Sequence, residues 1–146
     1  MDRSEKRVLV ISTGLMLVFL SAVVYSVFGL GMDLPTCITD VEPYTEGHVI
    51  ERAPLRYEIQ YVAKMWAFDP PAVEIPAGST VDLYLTSNDV VHGFQIIGTN
   101  VNLMAVPGAV NGKQVTFNQP GEYRIICHEY CGVAHQNMFA TIKVGM

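Results

Sequence analysis

Near the end of the chain, Cys127-His128-Glu129-Tyr130-Cys131-Gly132-Val133-Ala134-His135-Gln136-Asn137-Met138 places two thiols, two imidazoles, a carboxylate and a thioether within twelve residues. His92, well upstream, adds a third imidazole. Thiolate and thioether are soft ligands that favour copper, and imidazole suits copper as well. The spacing C-x3-C-x3-H-x2-M is too short for a site built on helices and describes a loop folded around a metal. A structural zinc ion is an alternative, since two Cys and two His complete a tetrahedron, but it leaves Met138 without a purpose. A disulfide between Cys127 and Cys131 is another, in an oxidising compartment, and it leaves both His and the Met unexplained.

A single blue-copper ion takes one Cys, two His and a weak axial Met. The second Cys suggests two copper ions bridged by both sulfurs, with one His on each. At this point a family resemblance is plain. The loop resembles the dinuclear CuA loop of cytochrome c oxidase subunit II, C-x-E-x-C-x3-H-x2-M, and Ser87-Asn88-Asp89-Val90-Val91-His92 is similar to that family's S-x-D-V-x-H segment. The resemblance covers roughly the last half of the chain. It implies that Cys127 and Cys131 are bridging thiolates and that His92 and His135 each bind one copper. Met138 would be an axial ligand on one ion, and the backbone carbonyl of Glu129 its counterpart on the other. His128 matches no ligand and reads as a polar loop residue.

The elements that must hold this loop follow from hydropathy. Mean hydropathy is +0.28, and the excess is local: residues 8–32 contain no charge. Residues 8–30 as a helix would span about 34 Å at ~1.5 Å per residue, enough for a ~30 Å hydrocarbon core. The run is longer than a signal-peptide core and lacks an A-x-A-like cleavage site, so it is expected to be an uncleaved anchor. Arg3, Lys6 and Arg7 precede it and acids follow it, which predicts a cytoplasmic N-terminus and a copper domain on the outer face.

The expected organisation is a polar tail (1–7), a transmembrane helix (8–32), an irregular acidic linker (33–54) and a copper domain (55–146). In the last part Tyr57, Ile59 and Tyr61 alternate with polar residues, and the run is expected to continue through Phe68. Further short strands surround Val73–Ile75, Val81–Leu85, residues 92–97, residues 101–106 and Val115–Phe117. Tyr123, Ile125 and Cys127 share one parity, as do Met138, Ala140, Ile142 and Val144, which puts Cys127 and Met138 on inward-facing strand ends. Short strands with Gly/Pro turns predict an all-β sandwich or small barrel. The resemblance specifies a Greek-key cupredoxin fold behind one N-terminal transmembrane helix.

The net charge of −5 gives no support to nucleic-acid binding. Residues 98–110 and 132–138 carry no Asp, Glu, Lys or Arg, so a docking partner would meet a mostly neutral face. Asp89 either orients His92 or shapes the turn before it. Trp66, the sole tryptophan, reads as a packed or surface residue, or as the port for electrons that the family resemblance implies. Cys37 and His48 are assigned no function. The resemblance further implies an oxidoreductase subunit that accepts electrons from cytochrome c or a similar donor and passes them to haem in a catalytic subunit I, where oxygen is reduced. The side chain of Glu129 reaches a magnesium or manganese ion in many members. The single anchor and neutral loops resemble the B-type haem–copper oxidases. A tethered copper carrier and a metal-free quinol-oxidase subunit are rival readings, the first opposed by ligands buried in a β-domain and the second by the full ligand set.

Overall fold

The computed structural model describes residues 2–30, 36–38 and 41–146. The chain divides into two compact units, residues 1–34 and 35–146.

The first unit is a helix, α1 (Arg3–Phe28). It begins before the apolar run because Asp2 and Glu5 form a capping box. The Asp2 side chain accepts from the Glu5 amide and the Glu5 side chain from the Asp2 amide, both at 2.8 Å, satisfying two amides that a helix start leaves unpaired. The polar tail expected up to Arg7 is therefore helical from Arg3. Its 26 residues bury no side chain within the chain, and they are long and apolar enough to cross a bilayer. Gly29 donates to the Tyr25 carbonyl at 2.7 Å and caps the last turn. The expected end of the anchor at residues 31–32 lies outside the described residues.

The second unit is a two-sheet sandwich. Its strands are β1 (Thr36–Ile38), β2 (His48–Ala53), β3 (Arg56–Lys64), β4 (Ala67–Asp69), β5 (Ala72–Pro76), β6 (Ser79–Ser87), β7 (His92–Ile96), β8 (Asn102–Ala105), β9 (Val110–Phe117), β10 (Gly121–Ile126) and β11 (Phe139–Gly145). One sheet runs β1-β9-β6-β3-β2 with β4 also on β3, and the other runs β5-β11-β10-β7-β8. The pairs β3–β6 and β5–β11 are parallel. The chain crosses between sheets after β4, β5, β6, β8 and β9, so consecutive strands enclose one core.

That core follows the alternation of the sequence. Ile59 and Tyr61 of β3, Val81, Leu83 and Leu85 of β6, Val115 and Phe117 of β9, and Ala140, Ile142 and Val144 of β11 are buried, as period-two side chains on one sheet face must be. Phe94 packs against Tyr61 (centroids 5.1 Å apart) and edge-on against Phe68 (5.3 Å).

Two expectations are corrected. The segment read as an irregular linker contains β2, paired antiparallel with β3, and β1, paired with β9. β2 is an edge strand with no fully buried residue and a register shift between Glu51 and Ala53, so it carries no alternation to read. The strand expected to continue through Phe68 instead stops at Lys64. The chain reverses at Met65-Trp66, and Lys64 pairs with Ala67. This two-residue reversal has none of the Gly, Asn or Asp that normally mark a hairpin turn.

Candidate metal centre

Strand register brings the ends of both sheets to one place. Ala63 of β3 lies opposite Ser87 of β6, His92 opens β7 opposite Ala105, and Ile126 closes β10 opposite Phe139 of β11. The loop 127–138 therefore leaves and re-enters one sheet beside the start of β7, with Cys127 donating its amide to the Met138 carbonyl at 3.3 Å. A short 3-10 turn, His135–Asn137, returns the chain to β11.

All six predicted groups are brought together. The sulfurs of Cys127 and Cys131 are 3.7 Å apart, and both residues are free, buried cysteines, so the structure does not contain the disulfide alternative. Nδ1 of His92 lies 4.0 Å from the Cys127 sulfur and Nδ1 of His135 lies 3.5 Å from the Cys131 sulfur. The Glu129 carbonyl is 3.2 Å from the Cys127 sulfur, and the Met138 sulfur is 3.7 Å from that of Cys131. The ligand atoms of His92, Cys127 and Cys131 lie within 4.8 Å of one another in a fully buried cluster. Met138 is buried and His135 half-buried.

This donor set fits copper. Two thiols, two imidazoles, a thioether and a carbonyl make six donors, more than a tetrahedral zinc ion would use, and the thioether is a soft ligand. Burial, followed by the hydrogen bond and charge interaction with Cys127, pushes the Cys131 thiol up to about 11. In the metal-free chain that thiol stays protonated at neutral pH, and a bound metal must displace its proton.

The surrounding residues hold these candidate ligands. Nε2 of His92 meets Asp89 Oδ1 at 2.8 Å, an outer-shell contact that fixes ring orientation and leaves Nδ1 facing the sulfurs. Asp89 also shapes its turn, so the two expected roles coexist: it accepts from the Val90 and Met65 amides, each at 2.6 Å. Partial burial works to raise its pKa, but the bonds from His92, Met65 and Val90 outweigh it and hold the carboxyl below its usual value. His128 is exposed, as expected of a loop residue, yet its ring lies over Gly93, where an added Cβ would sit 2.5 Å from the imidazole. Trp66 is the residue whose place the sequence did not convey. Its indole N–H donates to the Cys131 carbonyl at 3.2 Å. The missed reversal at Met65 is what brings it there.

A β-sandwich with a buried thiolate–imidazole site at one end is the architecture of the cupredoxins. The same fold is found in the periplasmic domain of subunit II of cytochrome oxidase from Bradyrhizobium japonicum, which is 21% identical and superposes with a TM-score of 0.56 over 60% of this chain and 82% of that one. The family model for cytochrome c oxidase subunit II, periplasmic domain, matches residues 51–144, and the chain belongs to that family. A cytochrome c oxidase subunit 2 of Thermus thermophilus is 41% identical over 112 residues, 75% of this chain and 83% of the relative. A chain in the cryo-EM structure of a haem–copper terminal oxidase dimer is 46% identical and superposes with a TM-score of 0.84, covering 97% of this chain and 99% of that one. This chain is thus a subunit II of the haem–copper cytochrome c oxidases, part of an oxidoreductase complex.

Proposed function

We propose that the chain accepts electrons singly from cytochrome c or a similar donor and delivers them to haem in a catalytic subunit I. A pair of copper ions held by Cys127, Cys131, His92, His135, Met138 and the Glu129 carbonyl would supply the one-electron redox chemistry. The observation that carries this reading is the placement of two thiols side by side, each with its own imidazole nitrogen facing it and its own weaker donor beyond.

The chain's residues contribute rigidity and exclusion of water. Cys127, Met138 and His92 are anchored at or beside strand ends, Cys131 lies within the loop, and all four are buried, so ligand positions are set by packing. Such burial suits a resident centre and opposes a carrier that must exchange its metal. Around the site Met65, Trp66, Val90, Val91, Tyr130 and Val133 expose apolar surface. Val90, Val91, Tyr130 and Val133 lie within two residues of a candidate ligand, Trp66 is bonded to the loop and Met65 to Asp89, and together they offer an apolar collar suited to a donor that docks by contact. Trp66 belongs to this collar and is bonded to the Cys131 carbonyl, which makes it the port for incoming electrons.

The further parts of the reading follow the anchor. With α1 in the bilayer, the basic residues before its apolar run remain on the cytoplasmic side and the copper domain faces outward, beside subunit I.

The test is rapid-reaction reduction of the assembled oxidase by reduced cytochrome c, comparing the parent with Cys131→Ser. The fast phase of electron uptake should vanish in the variant. Retention of that phase at the parent rate would refute the relay.

A further inference from the structure

The exposed turn Met65-Trp66, between β3 and β4, is bonded to the site at two separate points. On one side the Met65 amide donates to Asp89 Oδ2 at 2.6 Å, and the other oxygen of that carboxylate meets Nε2 of His92 at 2.8 Å. On the other side the Trp66 indole N–H donates to the Cys131 carbonyl at 3.2 Å. The indole lies so close to Gly132 that an added Cβ would sit 3.2 Å from its nitrogen, and Gly132 has φ +119°, a conformation side chains rarely adopt. β3 belongs to one sheet, whereas β7 and β10, which lead to His92 and Cys131, belong to the other. The two ligands are thus linked through a turn of the opposite sheet.

We propose that Met65 and Trp66 act as a positioning strap that holds the His92 side and the Cys131 side of the centre in fixed relation, and that the indole N–H stabilises its electron-rich form. An N–H dipole aimed at the backbone carbonyl of Cys131 turns its positive end toward the site and favours added negative charge there, so its loss lowers the reduction potential. Because Trp66 is also part of the exposed collar, the strap places the surface that meets a donor one hydrogen bond from a ligand residue. This proposal rests on the copper reading of the ligand set.

The chain has one tryptophan, so biosynthetic replacement by benzothienylalanine alters one position, keeping the fused aromatic shape and putting a sulfur that cannot donate in place of the N–H. The full chain, loaded with copper in detergent, is compared with its parent by electron paramagnetic resonance and redox titration, and the metal-free chains by amide hydrogen exchange. The isostere should retain copper, shift the hyperfine pattern, titrate at a lower potential and exchange faster at Gly132 and Val133. Asp89→Asn cuts the other attachment, and combined with the isostere its effect on the potential should be non-additive, as expected of groups in one network. A copper-loaded isostere matching its parent in spectrum, potential and exchange would overturn the strap, as would strictly additive effects in the double variant. If the parent itself shows no copper pair, the reading of the site fails and the strap fails with it.

Discussion

At the scale of single residues, the candidate centre rests on side chains outside the proposed ligand set. Asp89 accepts from His92 Nε2 while its second oxygen is tied to the Met65 backbone, so the imidazole has one orientation available to it. Asp89→Asn can present its amide N–H where His92 needs an acceptor, and outer-shell losses of this kind typically cost about 10–100-fold in metal affinity. Competition with a copper chelator should show a drop in that range, and an unchanged affinity would mean the ring is held by packing alone. Tyr61 offers a test of opposite sign. Its hydroxyl is buried and has no hydrogen-bond partner among the described residues. Burial also raises its pKa well above the ordinary tyrosine value. Tyr61→Phe removes a desolvated group that has no compensating bond, so urea unfolding should find the variant as stable as the parent or more so by about 1 kcal/mol. A loss of stability would reveal a partner for that hydroxyl.

At the scale of elements, β7 carries the most. It begins with His92, and two residues later Phe94 drives into the core between Tyr61 and Phe68. Phe94→Ala should destabilise the domain by about 3–5 kcal/mol, measurable as a lower denaturation midpoint, and should loosen His92 with it. A cost under about 1 kcal/mol would show that β7 is not the anchor. These elements also show what the sequence could and could not convey. The alternation in β6, β9 and β11 was legible because each buries one face against the core, and the parity of Ile125 with Cys127 and of Met138 with Ala140 was enough to turn two ligands inward. β2 was illegible because an edge strand buries almost nothing. The reversal at Met65 was illegible because its residues carry no turn chemistry, and with it went the position of Trp66. The clustering of the six candidate ligands was legible because soft ligands at loop spacing have few other uses, whereas the bonds from Trp66 and Met65 depend on contacts between distant segments that no local pattern encodes.

At the scale of the whole molecule, a helix of membrane-spanning length and a rigid β-domain are joined in one chain, and the metal is expected to tighten the second. A ligand that binds only the folded state raises stability with its concentration over its dissociation constant. The copper-loaded chain should therefore unfold at a higher temperature than the metal-free chain, a difference that scanning calorimetry with and without a chelator will show, and equal midpoints would mean that the folded chain does not bind copper in preference to the unfolded one. A donor that docks on the apolar collar should take part in electron uptake at a rate that changes little with ionic strength, because apolar contact is not screened by salt. A steep fall with salt would show that paired charges, and not the apolar collar, carry the docking.

Whether the six candidate ligands hold two copper ions as one electronic unit is read from electron paramagnetic resonance of the copper-loaded full chain, taken with metal content per chain. The arrangement of four further donors about two neighbouring cysteine sulfurs predicts two coppers per chain and an unpaired electron split by two equivalent copper nuclei. One copper per chain with the splitting of a single nucleus, or a silent site filled with zinc, would contradict it.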